Sequence, residues 1–165
     1  MNMKNLFFGG LTMLAVVALT FASCSEEAET DKPYVGDWHT KAYYNADTVL
    51  EQMFITFTNT TFEDIVKQGL TADAMSEAVK VKGDVEYVED GKINIILQAV
   101  SAGGSPYIDK ENEEAFNLAF EATIGQAMKE EFEARYIITG DNTMGLIIPV
   151  KYMGMEFTDT LNLMK

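Results

Sequence analysis

The sequence predicts a mainly β fold with some α (β+α): an antiparallel meander of short strands with inserted helices. Three observations carry this. Several segments alternate apolar and polar residues with a period of two, the signature of a half-buried strand. Tight-turn residues separate successive runs, most clearly Asp90-Gly91, where a type I′ hairpin needs positive φ at both central positions. Helical spacing of apolar residues is confined to a few insertions.

In chain order, Trp38 to Tyr44 places Trp38, Thr40, Ala42 and Tyr44 on one face, and Val49 to Thr58 alternates through Met53, Ile55 and Phe57. Thr60 and Glu63 have capping-box spacing, which predicts a short helix over Phe62 to Gln68 ending at Gly69. Thr71 caps a second short helix through Lys80. Val81 to Val88 then alternates cleanly, and Lys92 to Val100 returns with Ile93, Ile95, Leu97 and Ala99 on one face. A longer helix is predicted from about Lys110 to Glu131, capped by Asp109, with Glu111, Glu113 and Glu114 in its first turns, where the helix dipole favours anions. Its stripe of Phe116, Phe120, Thr123/Ile124 and Ala127/Met128 reads as core contact against the sheet. Three strands follow, Phe132 to Thr139, Thr143 to Val150 and Met155 to Met164, joined at Gly140-Asp141-Asn142 and Met153-Gly154.

The charge excludes some partners. Twenty-six acids stand against 12 bases, a net of −14; without residues 1–23, which contribute only Lys4, the balance is 26 against 11, or −15. A field of that sign repels phosphates, so no nucleic-acid partner is expected. One cysteine cannot form an internal disulfide, and with His39 as the single histidine no Cys-rich zinc site can be built. The acidic run from Asp109 to Glu114 does not fit a calcium loop, because Glu114 stands where glycine is needed and Phe120 where a bidentate glutamate is needed. His39 reads as a solvent-facing strand residue. No metal, no cofactor and no catalytic residue is expected, and the chain is not read as an enzyme.

Leu6 to Phe21 is an apolar run of sixteen residues after a head carrying Lys4. As a helix it reaches about 24 Å, short of the ~30 Å hydrocarbon core. Small residues and then acids follow it, the layout of a secretory signal rather than a retained span. Phe21-Ala22-Ser23-Cys24 resembles the bacterial lipobox, which implies cleavage before Cys24 and lipidation of its thiol. Residues 1–23 are then a lipoprotein signal peptide and residues 24–33 an acidic tether. Ser25-Glu26-Glu27 resembles the export signal of Bacteroidetes surface lipoproteins, implying an outer-membrane location, with display at the cell surface. Two or three acyl chains hold a protein on a bilayer without the polybasic patch this chain lacks.

Gly36-Asp37-Trp38 opens the first strand and resembles the Gly-X-Trp of lipocalins and the wider calycin superfamily. That resemblance implies a lipocalin-like β-barrel of seven or eight strands over residues 34–165, with Trp38 plugging one end. Lipocalins usually set an Arg of the final strand over that Trp. The single Arg here, Arg135, lies on an earlier strand, so the contact is missing or rebuilt. Carried over from the superfamily, the expected function is binding of a small apolar or amphipathic ligand, with Trp38, Tyr44, Tyr87, Leu97, Tyr136, Leu146 and Phe157 as inward candidates. The alternative is a surface interaction module with a packed core that meets a protein or glycan partner. An interior void of at least ~300 Å³ favours the first, a filled core with an exposed apolar patch the second.

Overall fold

The computed structural model describes residues 30–45, 48–125, 127–152 and 154–165. The signal segment, the lipobox with Cys24 and the residues that follow it to 29 lie outside these, as do Asp47 and the turn residue Met153.

The body is the mainly β antiparallel barrel expected, closed with eight strands, and among the described residues it carries one α-helix where several helices were expected. The wall runs in the order β1 (Gly36–His39), β10 (Met155–Met164), β9 (Thr143–Tyr152), β8 (Glu131–Gly140), β6 (Lys92–Ala102), β5 (Ser76–Glu89), β4 (Thr61–Gly69) and β3 (Leu50–Phe57), and pairing of β1 with β3 closes it. Two short strands lie beside the wall: β2 (Tyr43–Tyr44) on β3, and β7 (Ile108–Asp109) on the part of β6 beyond the reach of β8. Barrels of eight strands leave an interior just wide enough for packed side chains or one small ligand. Among the described residues, no helix is long and apolar enough to cross a membrane.

The eighth strand comes from a segment expected to be helical. Residues 61–69 are β4, paired along their length with β3 (Leu50↔Gly69 to Phe57↔Phe62) and with β5. Phe62, Asp64 and Val66 share one face. An acid in the middle of an otherwise apolar alternation disguised the period of two, and long-range pairing overrode the capping-box spacing. The second expected helix shrinks to a 3-10 turn, Ala72–Ala74, and the residues from Ser76 onward extend β5.

The helix α1 (Glu113–Thr123) is shorter than predicted at both ends. Asp109 does not cap it: β7 holds that residue extended against β6, Lys110 N–H donates to the Gln98 carbonyl, and Asn112 becomes the N-cap. At the other end Gly125 N–H closes on the Phe120 carbonyl, and β8 begins at Glu131. The Phe116 and Phe120 stripe is core contact, with the rings stacked 5.8 Å apart.

One end of the barrel is plugged. Tyr34, just before β1, is fully buried and meets Phe57 and Tyr136 edge-on at 5.8 and 5.3 Å. Its hydroxyl donates to the Asn59 carbonyl (3.0 Å), and its own carbonyl accepts from Trp38 Nε1 (2.8 Å). Lys165, immediately after β10, places Nζ 4.5 Å from the centre of the Trp38 ring and donates to the Val35 carbonyl at 3.2 Å. The cation that Arg135 does not provide is thus supplied by Lys165. Gly36 makes room for it: its φ is +138°, and a Cβ there would sit 2.8 Å from Lys165 Cε.

Candidate functional site

Strand alternation points one residue in two toward the lumen, and these side chains enclose a cavity of about 130 Å³ above the plug. Its wall is apolar: Met53, Ile55 and Phe57 from β3, Val79 and Val81 from β5, Ile95 and Leu97 from β6. Phe132, Leu146, Ile148 and Leu161 complete the far side, while Ile124 and Met128, in the segment after α1, lie across the other end from Trp38. The volume is below the ~300 Å³ of a drug-sized site. It is of the order of the ~150 Å³ apolar cavity that accepts benzene.

Among the sequence-predicted lumenal residues, Leu97 and Leu146 line this cavity, while Trp38 and Tyr136 are buried in the plug beneath it. Tyr44, Tyr87 and Phe157 are not inside. Tyr44 is 66% exposed because β1 ends at His39 and the chain bends before β2, breaking the alternation counted from Trp38. Tyr87 keeps the parity of Val85 but lies close to the β5–β6 hairpin and is 42% exposed, with Lys32 Nζ 4.6 Å from the centre of its ring. Phe157 shares the inward parity of Leu161 but lies toward the β9–β10 hairpin and is 48% exposed. His39 stays outside, its ring 6.1 Å from that of Phe54.

The residue that sequence reasoning missed is Asp64. It sits on β4 directly between Ile55 of β3 and Val81 of β5, and it lines the cavity. The residue is half-buried overall, yet its Oδ1 is shut from water and has no hydrogen-bond partner. No ion pair reaches it among the described residues. The lysines of β4 and β5 are engaged elsewhere: Lys67 over the Phe54 ring (4.9 Å), Lys80 with Glu77 (3.3 Å) and Lys82 with Asp109 (3.2 Å). Burial first, and the charge of Glu51 second, push the Asp64 carboxyl up to about 7.

Glu51 marks the contrast. It has the same strand parity as Met53 and Ile55, but its carboxylate is satisfied: the Tyr43 hydroxyl donates to Oε1, and Gln68 Nε2 donates to Oε2 at 2.7 Å. Asn45 Nδ2 adds a longer contact at 3.5 Å. Burial and that bond to Glu51 hold the Tyr43 phenol above its ordinary value. Two carboxylates thus share the inner face of adjoining strands, one fully partnered and one open. Among the described residues, no three His, Cys, Asp or Glu side chains converge as a metal site would require. Compared with known proteins, the chain matches no family model and no curated protein.

Proposed function

We propose that the protein is a lipoprotein anchored through Cys24 to the outer membrane of a Bacteroidetes-type envelope, facing outward, and that its barrel binds one small apolar or amphipathic ligand without catalysing a reaction. The apolar cavity between the Trp38 plug and the Ile124/Met128 cover carries this reading. At about 130 Å³ the occupant has a body near the size of one aromatic ring, not a lipid tail. The anchor rests on the Phe21–Cys24 lipobox and the acids after it. A second reading, a surface interaction module, draws on β10, which pairs with β1 at only one position (His39↔Met164) and leaves most of one edge open to strand addition.

Native mass spectrometry of protein from its own host, with NMR titration by toluene, tests the ligand. A co-purifying small molecule, or toluene-induced shifts at Leu97 and Leu146, is the expected result. Neither one would sink the ligand reading and leave the interaction module. For the anchor, Cys24→Ala is expected to release the protein from the membrane fraction. Retention there would refute lipidation.

A further inference from the structure

Resting on the reading that the barrel holds one small ligand, we propose that this ligand is an amine, a body of one-ring size whose protonated nitrogen pairs with the Asp64 carboxylate inside the cavity.

Buried polar atoms in folded proteins are nearly always partnered, so an open one calls for an explanation. Asp64 Oδ1 is the buried side-chain oxygen without a partner among the described residues, and its carboxyl borders the apolar cavity inside the barrel wall. A carboxyl kept there costs stability, since a buried charge without a partner is strongly unfavourable. A ligand that brings the missing donor removes that cost, and the protein's own donors are spent on Glu51 instead.

Charge selects a cation over a neutral donor. The chain is at −14, and Glu51 adds a second carboxylate on the inner face of β3, next to β4. A carboxylate facing an ammonium in a water-poor cavity makes a charge-assisted hydrogen bond, about twice as strong as a neutral one. Phe57, Phe62 and Phe132 line the same space and give an aromatic body three rings to pack against.

The proton balance gives the proposal a pH signature. With the Asp64 carboxyl held up to about 7, an ammonium entering below that pH displaces one proton: neutral carboxyl plus R–NH3+ becomes carboxylate paired with R–NH3+, and one H+ leaves to solvent. Above about 7 no proton is released. The other titratable groups near Asp64 are Glu51 on β3, Tyr43 on β2 and Tyr107 before β7. Burial and bonds to Glu51 and Glu63 keep both phenols protonated, and β5 presents only Val79 and Val81.

The test is calorimetric titration of the purified protein and of Asp64→Asn with benzylamine, benzyl alcohol and toluene at pH 5.5 and 8.5. At pH 8.5 the wild type is expected to bind benzylamine at least about tenfold more tightly than toluene, the scale of a hydrogen bond to a charged group. Asp64→Asn, whose fold is checked by thermal denaturation, is expected to lose that advantage and keep its toluene affinity. At pH 5.5 benzylamine binding to the wild type is expected to be about 30-fold weaker, with one proton released per ligand. Toluene binding with no preference for the amine overturns the anchor and leaves the ligand-binding barrel standing. Equal affinity for benzyl alcohol and benzylamine, or a preference that survives in Asp64→Asn, also overturns the amine. No binding of any of the three overturns both proposals.

Discussion

Replacing Asp64 by Asn should change how stability depends on pH. In the folded barrel this carboxyl keeps its proton up to about pH 7, while in the unfolded chain it loses it near the ordinary 3.8. The folded state therefore binds the extra proton between those values. The stability contributed by neutral Asp64 is full below 3.8 and is lost as pH rises to about 7, at 1.36 kcal/mol per pH unit. Between pH 5 and pH 8 the wild type should lose about 3 kcal/mol relative to Asp64→Asn, which has the same shape and does not titrate. For a barrel of this size that is about 10 °C in Tm. Thermal unfolding of both proteins by circular dichroism at pH 5, 6, 7 and 8 reads this difference directly. Any constant cost of burying the amide cancels, and so do the groups common to both proteins. Two Tm curves running parallel across that range would show that the carboxyl ionises at its ordinary value, and the account of a desolvated Asp64 would be wrong.

The plug, the wall and the cover each make a further prediction. Trp38→Phe keeps one aromatic ring but removes the fused pyrrole half with the Nε1–H that bonds the Tyr34 carbonyl, and should cost at least about 1–3 kcal/mol by urea denaturation; no change would mean that neither the bond nor the fused ring supports the plug. Gly83→Ala should destabilise by at least about 3 kcal/mol or prevent folding, because a Cβ there would run into the Ile96 carbonyl and sit 2.9 Å from the Phe62 ring; wild-type stability would refute the tight approach of β5 to β6. Ile124→Ala should open the cavity where the segment after α1 crosses it, speeding toluene release in NMR exchange with little loss of secondary structure; an unchanged exchange rate would place the ligand's way in elsewhere.

Most of the barrel was legible in the sequence, because its signals are local. The run from Val81 to Val100 folds as the β5–β6 hairpin about Asp90-Gly91, with two register shifts in its pairing; Gly91 has positive φ (79°) but Asp90 does not, so the turn is not the type I′ the dipeptide predicts. The last three strands likewise lie within a residue or two of their predicted bounds. The plug was partly legible: Gly36 and Trp38 were visible, whereas Lys165, which lies over the Trp38 ring and bonds the Val35 carbonyl across 130 residues, leaves no local trace. The candidate site was the least legible. Leu97 and Leu146 followed from strand parity, but Tyr44 failed where the chain bends after β1, and Tyr87 and Phe157 where their strands reach the hairpins at the barrel ends. Asp64 escaped because a carboxyl at an inward position contradicts the pattern by which inward positions are found. The signal that could have exposed it was Phe62-x-Asp64-x-Val66 between two strand runs, in a barrel that needed an eighth strand.

The plug joins residues from the two sides of the ring, Tyr34, Gly36 and Trp38 with Lys165, and the first and tenth strands meet at a single register position. Closure is therefore the contact of greatest sequence separation in the barrel, and such contacts form late, after the local hairpins. Until β10 docks on β1, the chain is a curved open sheet with a bare edge on β10, and β1 lacks its second neighbour. Exposed edges of that kind invite pairing between chains. Loss of β10 would leave no smaller barrel behind, only an unclosed sheet ending at β9, with Trp38 stripped of its cation. The interval before β10 docks is when this protein is most vulnerable to self-association.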